Sequence, residues 1–311
     1  MNKKHIIKLG TRASQLAVSQ SQLVANSLMK IRPDWEVQLV TLSTKGDRTS
    51  GSLTKVGGKG LFTAELETAL RKGSIDFAVH SAKDMPAKQA DDLEIAAIPL
   101  RADARDAIIS ELGDLDDLPQ GAKIGTGSLR RSALLKKYRS DLNIIPIRGN
   151  IQTRLARAIG NSADLDAVVL AQAGLDRSGL AFEFAPYINQ LEISEFPPAA
   201  CQGLLAVQVC KNKISQQVLT ALHELNHNQS SQIFQAERFV LQTLNASCNS
   251  CLAIHIEKKS TWVAHAMIAK PTGENLKTFC LRDETAKKVS TLLAEKLLAC
   301  DAKKILDQNF N

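Results

Sequence analysis

The chain has 311 residues, of which 44% are hydrophobic and 23% are charged, and this composition is ordinary for a globular protein of two or three domains. The 39 Lys and Arg residues exceed the 32 Asp and Glu residues, and the resulting net charge of +7 suits a polyanionic partner. Aromatic residues make up 4% of the chain, too few for a surface on which bases stack, so the composition favours a small polyanion over a nucleic acid.

The N-terminal residues contain no apolar stretch long enough for a signal peptide, and no segment approaches the roughly 20 apolar residues of a membrane span. We therefore expect a cytoplasmic protein that does not enter a membrane. Six cysteines in a chain of this length do not indicate a disulfide framework, and the cytosol would keep them reduced.

Residues 5–43 predict a strand, a helix and a second strand, which is the order of a βαβ unit. The turn between the first strand and the helix contains Thr11, Arg12 and Ser14. Hydroxyls and an arginine at a helix N-terminus suit a bound carboxylate or phosphate. The same Ser14 is also typical of a plain N-cap, which is the simpler interpretation of this turn in isolation.

A polar, glycine-rich segment follows at residues 44–60. Loops of this length inside a domain are usually lids, binding loops or disordered segments. The segment is not a phosphate-binding P-loop, because Leu53 stands where the first glycine would be and Gly60 stands where a Ser or Thr would bind magnesium.

The apolar residues 75–79 predict a buried strand, and Lys83 and Asp84 follow it. Pro86 disfavours helical geometry at Met85, so the two charged residues are expected on a loop at the strand end. Ligands bind at the carboxyl ends of strands in open α/β sheets. A solvated turn with a local Lys–Asp pair is the alternative that this segment leaves open.

After a predicted strand at residues 93–99, the charged residues 101–106 are interpreted as a connection between domains. A second series of strands and helices follows, with junctions near residues 126–131, 148–154 and 171–177. The first junction imitates a dinucleotide-binding glycine motif, but an arginine occupies the third glycine position, which argues against NAD. All three junctions carry arginines, and a cation at a helix N-terminus opposes the helix dipole, so a bound polyanion explains them better than solvated charges do.

Residues 203–209 predict a strand with no partner in the helical region after it, so we expect it to return to an earlier sheet. Helices near 214–226 and 230–243, three strands and a C-terminal helix then indicate a small α+β domain. Cys248 and Cys251 lie between the helix near 230–243 and the first of the three strands. Without a second ligand pair, this CxxC is weak support for zinc, and the thioredoxin-like context of a redox pair is absent.

Together these segments resemble the porphobilinogen deaminase (hydroxymethylbilane synthase) family over essentially the whole chain. Each motif alone is weak, but all of them in this order are highly specific. The motifs are the segments 56–62 (VGGKGLF), 80–86 (HSAKDMP), 125–131 (GTGSLRR), 148–150 (RGN) and 173–177 (AGLDR), together with the cysteine loop around Cys248.

The resemblance implies an α/β fold with two periplasmic-binding-protein-like α/β domains plus a small C-terminal α+β domain. Domain 1 would comprise residues 1–100 with 198–217, and domain 2 would comprise residues 101–197. Domain 3 would comprise residues 218–311 and would carry the cofactor cysteine.

The resemblance also implies a transferase that condenses four porphobilinogen molecules head to tail, releasing ammonia, to form hydroxymethylbilane in haem biosynthesis. The product would grow on a dipyrromethane cofactor that is covalently attached through a thioether. Alignment of the cysteine loop assigns the thioether to Cys248 and leaves Cys251 as a rival thiol. Asp84 matches the catalytic carboxylate, which would stabilise a cationic methylene carbon and then act as a general base.

The resemblance assigns further residues to the pyrrole carboxylates, which need cationic and hydroxyl partners. The implied roles are cofactor binding for Lys83, Thr126, Ser128, Arg130, Arg131, Arg148 and Gln202, substrate binding for Arg12, Ser14, Arg154 and Arg177, and an active-site loop with Lys55 and Lys59. We expect no metal, no partner besides the small-molecule substrate, no nucleic acid and a monomer. The chain departs from the usual family pattern at Gly127, Cys201, Ala246, Ser247 and Cys251.

A non-catalytic, two-domain anion-binding protein is the main alternative from another class. Such a protein would normally be exported and would not need the cysteine loop. Nucleic-acid binding is a second alternative, but it rests on the positive charge alone.

Overall fold

The chain forms two compact units, each made of two segments. The first unit comprises Met1–Arg101 and Leu204–Phe234, and the second comprises Ala102–Gly203 and Gln235–Asn311. The structure is a computed structural model, and it describes residues 4–43, 63–246, 250–270 and 272–307.

The strands within the described residues are β1 (His5–Arg12), β2 (Trp35–Leu42), β3 (Phe77–Ser81), β4 (Leu93–Ala97), β5 (Asp106–Ile109), β6 (Lys123–Gly125), β7 (Asn143–Ile145), β8 (Ala167–Ala171), β9 (Ile188–Gln190), β10 (Leu205–Cys210), β11 (Leu252–Lys258), β12 (Trp262–Ile268) and β13 (Lys277–Asp283). The helices are α1 (Gln15–Ile31), α2 (Ala64–Lys72), α3 (Leu129–Tyr138), α4 (Ile151–Leu155), α5 (Gln172–Arg177), α6 (Leu180–Glu183), α7 (Gln216–His223), α8 (Asn228–Leu244), α9 (Ala286–Leu298) and α10 (Ala302–Asp307). Short 3-10 turns occur at Ala82–Asp84 and Ala185–Tyr187.

The first unit contains a five-stranded sheet in the order β2-β1-β3-β10-β4. β1 pairs in parallel with β2 and β3, whereas β10 runs antiparallel to β3 and β4. Val207 of β10 lies opposite Val79 of β3. The expectation that the strand at residues 203–209 returns to an earlier sheet is therefore confirmed.

The central strands of this sheet are buried along almost their whole length. Every residue of β10 is buried, and so are Phe77–His80 of β3, as expected for strands covered on both faces. α1 adds Val24 and Leu28 to the same core, which also contains Trp35. α1 ends at Ile31 just before Pro33, since proline cannot continue a helix. These elements hold the ends of β1 and β3 in place.

The second unit contains a sheet in the order β7-β6-β8-β5-β9. β6 is parallel to β7 and β8, whereas β5 is antiparallel to β8 and β9. The expected connection at residues 101–106 is wrong at its last residue, because Asp106 begins the fully buried strand β5. The charge of Asp106 makes the start of this strand difficult to recognise in the sequence, although the apolar residues 107–109 follow it. A buried carboxylate is tolerated there because it is paired with arginines.

A separate antiparallel sheet, β11-β12-β13, lies in the second unit and packs against α9. Its residues Ala253 and Met267 share one apolar core with Ile124 and Leu134 of the α/β part. The predicted fold class, two α/β sheets and a smaller α+β region, is confirmed. The proposed division into three domains stays a prediction.

Among the described residues, no helix combines the length and apolarity needed to span a bilayer.

Candidate active site

The ends of β1 and β3 place the predicted residues of the first unit at one edge of its sheet. β1 and β3 are neighbouring parallel strands, with Leu9 opposite Phe77. Their carboxyl ends therefore lie side by side, and the chain continues there into Arg12 and into the 3-10 turn that holds Lys83 and Asp84. This edge is where an open α/β sheet binds a ligand.

The 3-10 turn presents Asp84 to solvent. Asp84 is exposed and Lys83 is half-buried, whereas Met85 directly after them is buried. Met85 has an extended backbone, with φ −80° and ψ 144°, as expected for the residue before Pro86. The predicted strand-end position of Lys83 and Asp84 is confirmed, but the two residues lie in a 3-10 turn and not in an irregular loop. The buried Met85 side chain anchors this turn.

The first turn of the unit uses its hydroxyls to organise α1. Ser14 Oγ accepts a hydrogen bond from the Ala17 backbone N–H at 3.4 Å, and Thr11 Oγ1 donates to the Ala17 carbonyl at 3.0 Å. The N-cap interpretation of Ser14 is confirmed. Substrate binding by this residue stays a prediction.

His80 is a buried, neutral neighbour of this edge that the sequence did not single out for a role. Its Nε2 donates to Gln208 Oε1 at 3.0 Å. Burial lowers the pKa of His80 to about 4, and the nearby Arg12 guanidinium acts in the same direction. The charge of Arg12 therefore stands beside an uncharged imidazole.

In the second unit, the parallel strands β7, β6 and β8 end at one edge and bring the three predicted junctions together. The Thr126 N–H donates to Ile145 O at 3.0 Å, and Ser128 Oγ accepts from the Arg131 N–H at 3.4 Å as the N-cap of α3. A Cβ on Gly127 would lie 2.7 Å from Ile147 O. In this structure the turn after β6 therefore needs glycine at 127.

Arg130 and Arg131, at the start of α3, surround a buried carboxylate. Arg130 Nη1 lies 2.7 Å from Asp106 Oδ2, and Arg131 Nη2 lies 2.8 Å from Asp106 Oδ1. Arg131 Nη1 also donates to Val169 O at 2.7 Å. Burial alone would raise the pKa of the Asp106 carboxyl, but the two guanidiniums overcome this effect and hold it well below its usual range.

Asp106 changes the interpretation of these arginines. At this helix start the counter-charge comes from inside the protein, and one carboxylate faces two guanidiniums. Arg154 and Arg177 lie in the last turns of α4 and α5. Cations are favoured at that end of a helix, so the helix-dipole argument for a polyanion is wrong for these two residues.

Other observations support an anion site beside Arg131. Burial lowers the pKa of Arg154, and the charges of Arg131 and Arg148 lower it further, so the three guanidiniums repel one another. Arg154 Nε donates to Gly149 O at 2.9 Å. Arg131 Nε is buried, and it has no hydrogen-bond partner in the part of the chain that the structure describes. We call Arg130, Arg131, Arg148 and Arg154 the arginine cluster.

Gln202 and Arg177 are held nearby by the protein itself. Gln202 Nε2 donates to Asp106 Oδ1 and to Ala104 O, each at 2.8 Å. Arg177 Nη2 donates to Gly203 O at 2.6 Å, and burial lowers its pKa to about 10. The structure thus joins Gln202 to the arginine cluster through Asp106. Sequence reasoning missed Asp106, although a charged residue heading an apolar run was a usable signal.

The predicted residues Lys55, Lys59 and Cys248 lie outside the described residues. Cys251 is buried, and its Sγ donates to Leu129 O at 3.5 Å. Burial raises the pKa of this thiol to about 11, so Cys251 is protonated at neutral pH. Within the described ranges, no group of three or more His, Cys, Asp or Glu side chains could hold a metal ion.

Known proteins resemble this chain along nearly its whole length. Residues 7–217 match the family described as "Porphobilinogen deaminase, dipyromethane cofactor binding domain". A porphobilinogen deaminase of Natranaerobius thermophilus is 40% identical over 97% of this chain and 98% of its own. Another, of Listeria welshimeri, is 37% identical over 98% of each chain.

A solved periplasmic substrate-binding protein of an ABC transporter from Coxiella burnetii is a distant likeness, with a TM-score of 0.41 at 16% identity over 75% of this chain and 97% of that chain. The family match and the near-complete coverage of the deaminases decide the classification. This chain belongs to the porphobilinogen deaminase family.

Proposed function

We propose that this chain condenses four porphobilinogen molecules head to tail, releases ammonia and forms hydroxymethylbilane in haem biosynthesis. Membership of the deaminase family supports this activity. The structural observation that supports the proposed activity most directly is the arginine cluster at the strand ends of the second unit. A substrate with two carboxylates per ring needs such a cluster, because a buried carboxylate is costly without a paired cation.

The cofactor-binding match fits the residues present. The Nε–H of Arg131 is buried and has no partner among the described residues, and Arg131, Arg148 and Arg154 concentrate positive charge beside it, so these groups are suitable donors for carboxylates. In the proposal, Lys83, Thr126, Ser128, Arg130, Arg131, Arg148 and Gln202 hold the dipyrromethane, and Arg12, Ser14, Arg154 and Arg177 hold substrate. When bound, the dipyrromethane supplies the pyrrole carbon to which the first substrate is joined.

Asp84 carries the chemistry in this proposal. Loss of ammonia leaves a cationic methylene carbon on the substrate, and the Asp84 carboxylate stabilises that charge. After the next bond forms, the same carboxylate accepts the α-proton of the pyrrole. Its exposure at a strand end leaves it accessible to substrate.

We propose Cys248 as the thioether cysteine. The rival, Cys251, is a buried thiol with a raised pKa, and the thiolate is the nucleophilic form of cysteine. Intact-protein mass spectrometry of Cys248→Ala and Cys251→Ala separates the two assignments. We expect the dipyrromethane mass to be lost in Cys248→Ala and kept in Cys251→Ala, and the reverse result would move the thioether to Cys251.

Further parts of the proposal rest on the family resemblance. They are a cytoplasmic monomer that does not bind nucleic acid, an active-site loop with Lys55 and Lys59, and three domains with the boundaries given above. Size-exclusion chromatography with light scattering tests the monomer.

Incubation with porphobilinogen tests the function directly. We expect hydroxymethylbilane in solution, about one ammonia per porphobilinogen consumed, and enzyme-bound pyrrole intermediates by mass spectrometry. Binding without release of ammonia would instead support the non-catalytic anion-binding protein.

A further inference from the structure

The turn at Cys201–Gly203 holds two separate parts of the proposed site. Through the Gln202 side chain it donates to Asp106, the carboxylate around which two arginines are arranged. Through the Gly203 carbonyl it accepts from Arg177. A shift of this turn would therefore move the supports of the arginine cluster and of Arg177 together.

This turn has an unfavourable backbone and needs support from outside. Cys201 has φ 61°, in the left-handed region that disfavours a residue with a Cβ, and Gly203 has φ 84°. A Cβ on Gly203 would lie 2.5 Å from Ala102 O, so the chain also passes very close to another backbone segment there. Such a conformation persists when surrounding groups hold it.

Glu237 on α8 provides that support. Its side chain is fully buried, and one carboxylate oxygen accepts a hydrogen bond from the Cys201 backbone N–H. The other oxygen accepts from the Ile256 N–H of β11 at 2.8 Å. Buried carboxylates are tolerated when donors satisfy them, and charge-assisted bonds of this kind are strong. Glu237 thus ties the turn to β11 and to the helix that ends at Leu244, four residues before Cys248.

We propose that Glu237 is a positioning residue that orients the arginine cluster and Arg177 through the turn Cys201–Gly203. The inference rests on the proposed function, in which these arginines hold pyrrole carboxylates. Guanidinium–carboxylate pairs are directional, so a displacement of a fraction of an ångström in their supports weakens substrate binding. Glu237 itself touches neither substrate nor cofactor in this proposal.

Glu237→Gln is the test variant, because it keeps the size of the side chain but turns an amide N–H₂ toward one of the two backbone donors. We expect a folded protein in which KM for porphobilinogen rises about tenfold, the equivalent of one weakened charged hydrogen bond, while kcat changes less than about threefold. The matched control is Glu257→Gln, whose carboxylate pairs with exposed Lys259. It should leave both constants within about twofold of wild type.

A double-mutant cycle with Gln202→Ala tests the route. If Glu237 acts through the turn, the KM increase in the double variant should be smaller than the product of the two single increases, since both variants weaken the same support of the arginine cluster. Multiplication of the two effects would show independent action and overturn the proposal.

Two outcomes separate this inference from the proposed function. Wild-type protein that makes no hydroxymethylbilane contradicts the function itself. Active wild-type protein with an unchanged KM in Glu237→Gln contradicts the positioning role alone. If circular dichroism shows that Glu237→Gln does not fold, Glu237→Asp is judged by the same criteria, because it keeps the charge and shortens the reach by one methylene.

Discussion

The strand ends of the two units hold their charged side chains in opposite ways. In the first unit, Asp84 is exposed on a single 3-10 turn after β3. In the second unit, Arg130 and Arg131 are 4% and 8% exposed and are fixed around Asp106. The contrast teaches that binding and chemistry make different demands. In the proposed function, the groups that hold the polyanion benefit from preorganisation, whereas the group that meets a transient cation must be reachable.

Asp84→Ala tests the exposed side of this contrast and should have the largest effect. We expect kcat to fall by about a thousandfold or more, because both charge stabilisation and proton acceptance are lost. The free energy of unfolding should change by less than about 0.5 kcal/mol, since an exposed side chain is removed. The measurements are hydroxymethylbilane formation and urea unfolding. The control is Asp91→Ala, which removes another exposed carboxylate of the same unit. Near-normal activity of Asp84→Ala would contradict the catalytic assignment.

Asp106→Asn tests the buried side. Removing the carboxylate leaves two buried guanidiniums without their counter-charge, so we expect a loss of about 3 kcal/mol in the free energy of unfolding. Asp103→Asn breaks a half-exposed pair with Arg105 and should cost less than about 1 kcal/mol. Urea unfolding of both variants compares them, and equal losses would mean that burial does not distinguish the two pairs.

Arg154→Ala sharpens the role of the arginine cluster. Loss of one charged hydrogen-bond donor should raise KM for porphobilinogen about tenfold. The control is Arg157→Ala, three residues along, where the guanidinium pairs with exposed Asp164. Steady-state kinetics of both variants should show an unchanged KM for the control. A similar KM rise in both would indicate a general charge effect instead of a specific site.

The pH dependence of stability should show the smallest effect, from His80. Its pKa is about 4 in the fold and 6.5 without it, so the unfolded chain takes up the proton first as pH falls. This contribution is complete above pH 6.5 and is lost between 6.5 and 4, by about 1 kcal/mol from pH 7 to 5.5. His80→Gln should lack this component and the exposed His223→Gln should keep it. Urea unfolding at pH 7 and pH 5.5 checks this. An equal loss of unfolding free energy between the two pH values in wild type and His80→Gln would contradict the prediction.

Sequence patterns predicted most of the fold and the position of Lys83 and Asp84 at a strand end, because both depend on neighbours along the chain. The strand before Asp84 and the extended residue before Pro86 follow from local rules. Asp106 could not be placed in this way. Its arginine partners are 24 and 25 residues away and Gln202 is 96 residues away, so their meeting depends on the insertion of β5 between β8 and β9.

Helix length is a second feature that the sequence pattern did not predict. The order of strands and helices predicts a cation at a helix start for Arg154, yet α4 spans five residues and ends one residue later. Strand-to-helix order was visible in the sequence, but whether a helix runs for one turn or four is decided by packing, which periodicity over a few residues does not report.

The position of β10 has a consequence for how the protein is made. β3 and β4 are complete by residue 97, but the strand that separates them begins at Leu205, more than a hundred residues later. At ribosomal rates of about 5–20 residues per second, the nascent chain waits on the order of ten seconds with these two strand edges unsatisfied. A chaperone that shields strand edges during translation should therefore raise the yield of folded enzyme more than one that acts after release.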